Sequence, residues 1–380
     1  MIEELTRNAV DVLPAGGLEE KLKLGRPLRV KLGIDVTAPN VTLGNGVPLQ
    51  RMRAFQDEGH LGVLIVGDYT TRIGDPSGRS VERPILSDEE IDRNAKRFVD
   101  QASTIIDPER TEIRFNSEWL AGLDFAEILR LTRTATVARL LERDDFAKRM
   151  TANAPISVSE LLYPLMQAYD SVAIGADVEL GGTDQLYNIL MGREVMTAYG
   201  LEPQVALTVR YLDSWDGAGM SASRGNYIGL REEPEQQFGK AMRIPDSLLQ
   251  QWSDLVLEES VPAGEPMAAK LALARRIVMR SHGVEAADRA EAHFTRVVRE
   301  GGAPDEISET SLPEGDPVHL PAALAAAFGL STSEARRLIA QGGVKLDGEV
   351  VRELDVRRTT LRHATVQAGK RRFTRFRETP

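Results

Sequence analysis

The sequence predicts an α/β protein with a Rossmann-like parallel-sheet domain, a helical connecting domain and a small α+β domain at the C-terminus. Three observations support this prediction: short apolar runs typical of buried parallel strands, a Gly-, Pro- and acid-rich segment near residue 300, and a basic C-terminal stretch with periodic apolar residues. We expect the domains to span residues 1–230, 231–300 and 318–380, with a linker at 301–317.

The first 80 residues have the pattern of a mononucleotide-binding βαβ unit. Residues 28–34 are strand-like, and Leu49, Met52 and Phe55 recur at helical spacing. Residues 62–67 form a short, continuous apolar run, which is typical of a buried parallel strand. Ligands bind at the carboxyl ends of such strands, so we expect functional groups in the segments that follow them.

Both of these segments are small and polar. Residues 35–45 end at a predicted helix start, where backbone N–H groups favour phosphate. Residues 74–79, from Gly74 to Arg79, predict a tight turn that carries the carboxylate of Asp75. On spacing alone, a pair of ordinary βα turns is an equally good interpretation.

A third polar cluster lies on a predicted helix. Tyr163, Gln167 and Asp170 stand at i, i+4 and i+7 and share one helical face, and the polar residues 181–185 follow soon after. A solvated face is the alternative, because exposed helices also carry Gln and Asp. Apolar neighbours favour a buried polar pocket instead: Leu161, Leu162, Leu165 and Met166.

Composition excludes several classes of protein. The chain has 380 residues with 42% hydrophobic and 27% charged content, which is typical of an ordinary globular protein. It has no cysteine, and its five histidines are scattered, so we expect neither disulfides nor a bound metal. It has neither a signal-peptide pattern nor a long apolar run, so we expect a cytoplasmic protein with no membrane partner.

The charge is unevenly distributed. Residues 331–380 contain twelve Lys or Arg and six Asp or Glu, a net charge of +6, whereas the whole chain carries −10. Such asymmetry indicates either a solvated tail or a domain that binds a polyanion, and the periodic apolar residues favour the domain.

Two patterns in this basic stretch are consistent with RNA binding. Arg336 and Arg337 lie on the outer face of a predicted amphipathic helix, and residues 344–351, which include Lys345, predict a hairpin with an Asp-Gly turn. The later run at 370–377 alternates cations with two phenylalanines. These aromatic rings either anchor the core, which is the favoured interpretation, or stack on bases.

Several long motifs occur in an order that resembles bacterial tyrosyl-tRNA synthetases, a class I aminoacyl-tRNA synthetase family. These motifs are KLGIDVTAPNVTLGNGVPLQRMRAFQDEGHLGVLIVGDYTTRIGDPSGRS, ERDDFAKR, YPLMQAYDSVAIGADVELGGTDQLYN and SRGNYIGL. The C-terminal SEARRLIAQGGVKLDGEVV resembles the RNA-binding domain that the family shares with a small-subunit ribosomal protein. The resemblance covers nearly the whole chain.

The resemblance implies a set of tyrosine ligands. Asp75, Tyr163 and Gln167 match the ligands of the ammonium group, and Asp170 matches the carboxylate that accepts the phenol hydroxyl. Gln185 matches a polar contact near the carboxyl end. The matching tyrosine set is Gly33, Asp35, Asp75, Tyr163, Gln167, Asp170 and Gln185.

It also implies an ATP site, with Mg²⁺ bound to the nucleotide and no tightly bound metal. Gly44, Gly182 and Asp184 match positions that hold adenosine, with Asp184 as the ribose ligand. The matching ATP-binding and catalytic set is Thr37, Thr42, Gly44, Asn45, Gly182, Asp184, Gly219, Met220, Ser221, Ala222 and Ser223. Arg336, Arg337 and Lys345 are the candidate RNA contacts.

The chain departs from the family in its two catalytic signatures. The first is His-x-Gly-His (or Asn) in the family and Thr42-Leu-Gly-Asn45 here; the second is Lys-Met-Ser-Lys-Ser and is Gly219-Met-Ser-Ala222-Ser223 here. Glycine and alanine have no side-chain donor. The second loop is also one residue shorter, and residues 209–215 replace the usual Pro-Leu-Leu-x-Gly sequence.

Two functions therefore remain open. The chain is either a tyrosine-tRNA ligase that binds L-tyrosine (or a close analogue), ATP and tRNA, with weakened or altered activation, or a catalytically silent or repurposed paralogue. Losing one well-placed transition-state donor costs roughly 10² to 10³ in rate, so the missing side chains matter. The resemblance further implies a homodimer. Arg79, Arg210 and Arg224 are candidates for replacement charge.

Overall fold

A computed structural model describes residues 1–75, 86–261, 264–300, 307–369 and 372–378. Residues 76–79 of the predicted turn, including Arg79, therefore lie outside the described residues, as do residues 301–306 of the predicted linker and residues 370–371 of the basic run. The chain forms two compact units. The first comprises Met1–Glu232 and Arg243–Leu273, and the second comprises Glu233–Met242 and Ala274–Pro380.

The first unit is built around a six-stranded sheet with the order β1-β6-β5-β2-β3-β4. All neighbouring pairs are parallel except β1 with β6. The strands are β1 (Ala9–Leu13), β2 (Arg29–Ile34), β3 (Leu61–Val66), β4 (Thr111–Phe115), β5 (Val178–Gly182) and β6 (Val205–Val209). The prediction of an α/β fold with a parallel sheet is confirmed.

Helices connect and cover these strands. In the first unit they are α1 (Ile2–Leu5), α2 (Gly17–Leu22), α3 (Leu43–Asp57), α4 (Asp88–Ala102), α5 (Ser117–Leu120), α6 (Phe125–Thr132), α7 (Val137–Leu141), α8 (Asp144–Thr151), α9 (Val158–Ile174), α10 (Leu186–Ala198) and α12 (Leu249–Trp252). The β2-α3-β3 segment is the βαβ unit predicted from the apolar pattern.

The strand order creates a crevice at the centre of the sheet. From β2 the chain proceeds to β3 and β4 on one side, and from β5 it proceeds to β6 on the other. Between β2 and β5 the direction of crossover reverses, and ligands of open α/β sheets bind at such a switch point, beyond the carboxyl ends of the strands. Helices α3 and α10 begin beside this point, so their N-terminal N–H groups lie at the same edge of the sheet.

The second unit contains helices and a small α+β structure. Its helices are α11 (Pro234–Ala241), the later part of α13 (Pro266–His282), α14 (Val284–Phe294), α15 (Leu320–Phe328), α16 (Thr332–Ala340) and α17 (Arg358–Leu361). Its strands are β7 (Glu309–Ser311), β8 (Val318–His319), β9 (Val344–Leu346), β10 (Glu349–Val350), β11 (Asp355–Val356), β12 (Thr365–Ala368) and β13 (Arg372–Arg377).

The five-stranded sheet of this unit has the order β10-β9-β12-β13-β7, and β8 pairs with β11 separately. The predicted hairpin is present: Asp347 and Gly348 link β9 to β10 with φ values of 47° and 92°, as the Asp-Gly turn predicts. Phe376 is fully buried in the core of this sheet, which agrees with the favoured core interpretation, whereas Phe373 is half-buried.

The segment predicted as a linker contributes a strand. Glu309–Ser311 pairs in parallel with β13, and Leu312 is buried in the same core. The Gly- and acid-rich composition hides this strand, because a short edge strand is held by backbone hydrogen bonds that do not depend on apolar side chains. The domain boundaries given above remain predictions.

Candidate active site

Helix α9 carries the predicted polar face into the crevice. Its first turn is closed by a capping box in which Ser157 and Glu160 exchange hydrogen bonds, and it ends at Gly175 in the left-handed conformation. Tyr163 and Asp170 are buried on this helix, and Gln167 lies between them, half-buried. The helix spacing therefore brings the three predicted side chains together.

Asp170 is the most buried residue of the predicted amino-acid pocket, with only 3% of its surface exposed. Its Oδ1 accepts a hydrogen bond from the indole nitrogen of Trp119 at 2.8 Å, whereas the amide of Asn116 lies 3.5 Å from Oδ2, at the outer limit of a hydrogen bond. Burial raises the pKa of Asp170 to about 7, against the opposing effects of the Lys31 charge and the Trp119 hydrogen bond.

A series of hydrogen bonds joins Asp170 to the end of β2. Asn116 donates to Thr70 Oγ1 at 3.1 Å, and Thr70 donates to Asp35 Oδ1 at 2.8 Å. Tyr163 donates to Asp35 Oδ2 at 2.9 Å. Because Tyr163 and Asp170 share helix α9, these bonds close a ring around one side of the pocket.

The glycine at position 67 is required for this ring. A β-carbon at Gly67 would lie 2.4 Å from both Asp35 Oδ1 and Thr70 Oγ1, which is closer than non-bonded atoms approach. A side chain at this position would push apart the two atoms that form the hydrogen bond between β2 and the residues after β3.

A second series of contacts runs along the opposite side of the pocket. The Asn188 amide donates to Gln167 Oε1 and to Gln185 Oε1, each at 3.0 Å. Gln185 in turn donates to Asp75 Oδ2 at 2.8 Å. The guanidinium of Arg143 donates to Asn188 Oδ1 at 3.0 Å and lies 3.9 Å from the Asp75 carboxylate. One series of hydrogen bonds thus connects Asp75, Gln167 and Gln185, although Asp75 is distant from the other two in sequence.

A buried ion pair lies beneath Gln167. Lys31 Nζ is 2.9 Å from Glu179 Oε1, and both side chains are fully buried on neighbouring strands. Lys31 also donates to the Gln167 backbone carbonyl at 2.8 Å, and the Gln167 side-chain amide donates to Glu179 at 3.2 Å. This pair fixes the Gln167 amide so that its oxygen, and not its nitrogen, faces Asn188 and the pocket.

Several residues of this site were not predicted from the sequence. Lys31 and Glu179 carried a visible signal, because each is a charged residue inside an otherwise apolar parallel strand. Asn116 directly follows β4 and so lies at the carboxyl edge, where functional groups were expected. Trp119 and Arg143 carried no comparable signal.

The side chains of the first signature stretch cap the N-terminus of α3. Thr42 Oγ1 accepts from the Asn45 backbone N–H at 3.1 Å, and Asn45 Oδ1 accepts from the Thr42 N–H at 3.0 Å, a reciprocal capping box. Thr42 is buried. Gly44 lies against Met220 of the second signature, since a β-carbon at Gly44 would be 3.5 Å from the Met220 side chain.

The second signature stretch lies in a loop held by its own hydrogen bonds. The Asn226 amide nitrogen lies 3.0 Å from both carboxylate oxygens of Asp216, and Asn226 Oδ1 accepts from the Ser221 N–H at 2.9 Å. Ala222–Arg224 forms a single 3-10 turn, within which Ser221 and Ser223 hydroxyls lie 3.0 Å apart.

The nucleotide half of the crevice lies at the end of β5. Gly182 ends this strand, and Asp184 follows it. The Tyr211 hydroxyl donates to Asp184 Oδ2 at 2.5 Å, and Gln185 donates to the same oxygen at 3.2 Å. Gly33 and Thr37 lie at the carboxyl end of β2 and in the segment after it, Gly33 exposed and Thr37 half-buried.

The candidate RNA contacts lie in the second unit. Arg336 and Arg337 are exposed on α16, as predicted, and Lys345 is half-buried in β9 on the face opposite Val344 and Leu346. Arg210 and Arg224 are exposed in the first unit.

Within the described part of the chain, no helix has both the length and the apolar character needed to cross a bilayer. The same residues contain no group of three or more His, Cys, Asp or Glu side chains placed to hold a metal ion.

Comparison with known proteins gives consistent results. The family described as tRNA synthetases class I (W and Y) matches residues 23–299, and the S4 domain matches residues 320–357. The tyrosine-tRNA ligase of Moorella thermoacetica is 46% identical over 390 residues, covering 98% of this chain and 94% of that protein. That of Thermotoga maritima is 45% identical over 389 residues, covering 99% of this chain and 96% of that protein.

Solved structures share the fold. A C-terminally truncated mitochondrial tyrosyl-tRNA synthetase from Aspergillus nidulans has a TM-score of 0.62 at 22% identity, covering 77% of this chain and 91% of that one. Tyrosyl-tRNA synthetase from Archaeoglobus fulgidus, complexed with L-tyrosine, has a TM-score of 0.61 at 21% identity, covering 76% of this chain and 98% of that one. From the matched family and the near full-length relatives, this chain belongs to the tyrosine-tRNA ligase family of class I aminoacyl-tRNA synthetases.

Proposed function

We propose that the first unit binds L-tyrosine in the pocket lined by α9, with the phenol at Asp170. The observation that carries this proposal is the buried Asp170 carboxylate, with Trp119 on one oxygen and only a long contact on the other. That second oxygen can accept a hydrogen bond from a phenol. Phenylalanine cannot provide one, and it would leave a buried polar group unsatisfied.

The other end of the pocket suits the amino-acid ammonium group. Asp75, Tyr163 and Gln167 are the proposed ligands, and each presents an oxygen. The Gln167 amide supports this role because Glu179 accepts a hydrogen bond from its nitrogen, which leaves its oxygen directed towards the pocket side. Gln185 is the proposed contact near the carboxyl end, and its hydrogen bonds with Asp75 and Asn188 support this role.

We further propose ATP, with Mg²⁺ bound to the nucleotide, as the second substrate. The tyrosine carboxylate would attack the α-phosphorus and expel pyrophosphate to give tyrosyl-adenylate, and a tRNA hydroxyl would then take the tyrosyl group and release AMP. The N-termini of α3 and α10 and the proposed adenosine ligands Gly44, Gly182 and Asp184 support this site. In such a reaction the protein contributes mainly position and positive charge.

Activation by this chain is proposed to be slower than in family members with intact signatures. Gly219 and Ala222 offer no side-chain donor, and the Thr42 hydroxyl and the Asn45 amide oxygen are used to cap α3. These features also favour the second candidate function, a catalytically silent or repurposed paralogue that binds tyrosine or tRNA without conventional aminoacylation.

The second unit is proposed to bind tRNA. Its C-terminal 50 residues carry a net charge of +6 and include the exposed Arg336 and Arg337. Phosphate contacts of this kind make affinity fall steeply with salt. Lys345 is the third proposed contact, and the nature of the RNA is proposed from the family.

A homodimer through the first unit is also proposed. Five large apolar side chains are exposed within 34 residues on consecutive helices: Phe125 (73%), Leu129 (45%), Val137 (62%), Met150 (54%) and Val158 (73%). Single exposed apolar residues need no explanation, but several close in sequence favour an interface.

Two measurements test the proposed function. Calorimetry is expected to detect L-tyrosine binding, with Asp170→Ala or Gln167→Ala weakening it by about 1 to 3 kcal/mol. A matched control is Gln250→Ala, whose side chain lies on α12 and bonds Asp254 at 2.7 Å. Binding of another aromatic amino acid with no detectable L-tyrosine binding would refute the pocket. Tyrosine-dependent ATP–pyrophosphate exchange separates the ligase from the silent paralogue.

A further inference from the structure

Tyr211 occupies the space next to the proposed adenosine ligands. It follows β6, and its hydroxyl donates to Asp184 at 2.5 Å, at the end of the neighbouring strand β5. A β-carbon at Gly182 would lie 3.2 Å from the Tyr211 ring, and one at Gly219 would lie 3.9 Å from it. The ring therefore lies between the end of β5 and the first residue of the second signature.

Side chains of helix α12 hold the backbone around Tyr211. Gln251 Nε2 donates to the Tyr211 carbonyl at 3.3 Å and to Asp213 Oδ2 at 2.9 Å, and Gln251 Oε1 accepts from the Asp213 N–H at 3.1 Å. The indole of Trp252 donates to the Asp213 carbonyl at 2.8 Å. These contacts fix the backbone of the Tyr211 segment, so that only the Tyr211 side chain has to move when its hydroxyl leaves Asp184.

We propose that Tyr211 gates the nucleotide site: its ring fills space needed by the nucleoside and its hydroxyl occupies the Asp184 oxygen that a ribose hydroxyl would use. The inference rests on the proposed function for the identity of the nucleotide. The position of Asp184 at a ligand-binding edge does not depend on the proposed function. Asp184 follows the strand next to the switch point, where α/β sheets bind ligands.

The gate lowers nucleotide affinity by competition. Asp184 Oδ2 already accepts hydrogen bonds from Tyr211 and from Gln185, so a ribose hydroxyl that binds this oxygen competes with the phenol. A ligand that binds only the open arrangement has its affinity reduced by the fraction of molecules that are open. Removing the hydroxyl frees Asp184, and removing the ring also frees the surface of Gly182.

Isothermal calorimetry on the full chain tests this gate, with Mg-ATP and adenosine as separate probes. Tyr211→Phe is expected to bind both about tenfold more tightly than the unaltered protein, the scale of one hydrogen bond to a charged group. Tyr211→Leu is expected to gain at least as much. The matched control is Tyr187→Phe, which removes a hydroxyl that donates to the Arg139 carbonyl at 2.7 Å, and it is expected to change neither affinity.

Each outcome decides the inference. Unchanged or weaker ATP binding by Tyr211→Phe would overturn it, and so would the absence of ATP binding in all variants, including Tyr211→Leu. L-Tyrosine titrations on the same proteins keep the proposed function separate. If tyrosine binds while ATP affinity does not respond, only the gate fails. If ATP affinity rises as expected but tyrosine does not bind, the amino-acid pocket fails and the gate stands.

Discussion

Lys31 and Glu179 face each other on β2 and β5, with their charged groups 2.9 Å apart and fully buried. Around them, Gln167, Ser171 and Gln204 all contact the Glu179 carboxylate. Because the Glu179 carboxylate orients the Gln167 amide, the ion pair determines part of the geometry of the proposed amino-acid pocket, although neither charged side chain lines it.

Glu179→Gln is expected to lower the free energy of unfolding by about 3 to 5 kcal/mol, because it leaves the Lys31 charge buried without its counter-ion. The matched control is Glu112→Gln, which breaks a half-exposed pair with Arg29 at 2.7 Å and is expected to cost about 0 to 1 kcal/mol. Urea unfolding measures both. Similar losses in the two variants would contradict this account of the buried pair.

The Asp170 carboxyl predicts a pH dependence of stability. Its pKa is raised from 3.8 to about 7, so between these pH values the native carboxyl keeps a proton that the unfolded chain has released. The free energy of unfolding therefore falls as pH rises through this window and levels off above about pH 7. In Asp170→Asn this contribution is absent. Urea unfolding of both proteins from pH 4 to 8 measures the difference.

Asp177→Asn serves as a control of opposite sign. The pKa of Asp177 is lowered, because its hydrogen bonds and ion pair with Arg26 outweigh the effect of burial, the largest single influence, which raises it. Its contribution to stability is present above pH 3.8 and is lost as pH falls through the lowered pKa. A difference between the unaltered protein and Asp170→Asn that does not change with pH would contradict the raised pKa of Asp170.

The missing catalytic charges can be restored directly. The triple variant Thr42→His, Gly219→Lys and Ala222→Lys is expected to raise tyrosine-dependent pyrophosphate exchange by at least about 10²-fold, the scale of one restored donor. A β-carbon at position 219 would make an ordinary van der Waals contact, 3.9 Å from the Tyr211 ring. The Thr42 change removes a helix cap and is expected to cost about 1 kcal/mol of stability.

A second version with one residue inserted after Ala218 belongs in the same experiment, because a lysine that cannot reach the phosphates does not help position them. Strong exchange by the unaltered protein would refute the premise that the lost donors limit activity. If neither version supports pyrophosphate exchange while both still bind tyrosine, the catalytically silent paralogue is the favoured function.

The proposed dimer predicts an oligomeric state that can be measured. Light scattering at micromolar concentration is expected to give the mass of two chains, and the double change Phe125→Asp and Val158→Asp is expected to shift it towards one. Val284→Asp, at a position of the second unit that is 53% exposed, is the control and is expected to leave the mass unchanged. A single-chain mass for the unaltered protein would refute the proposed dimer.

Much of the fold was predictable because it depends on patterns with a fixed period. The apolar runs predicted β2 and β3, the spacing of Leu49, Met52 and Phe55 predicted α3, and the Asp-Gly pair predicted the β9-β10 turn. Strand β7 was not predictable, since its pairing with β13 is made by backbone groups that every sequence shares.

The site was predictable in part for a similar reason. Tyr163, Gln167 and Asp170 share a helical face, which spacing alone reveals. Their partners Trp119, Asn116 and Asn188 come from other elements, and only the folded sheet brings them together. The Tyr211 contact with Asp184 joins residues 27 positions apart through two adjacent strands, and local patterns carry no information on such a contact.

Gly67 sets a limit on how the gene can vary. Every missense change of a glycine codon introduces at least a β-carbon, and at this position that atom would lie 2.4 Å from both Asp35 and Thr70. Even alanine, the smallest replacement, would therefore displace the Asp35 and Thr70 oxygens from their hydrogen bond. We therefore expect replacements of every size, including alanine, to be depleted at codon 67 in a library of variants selected for tyrosine binding.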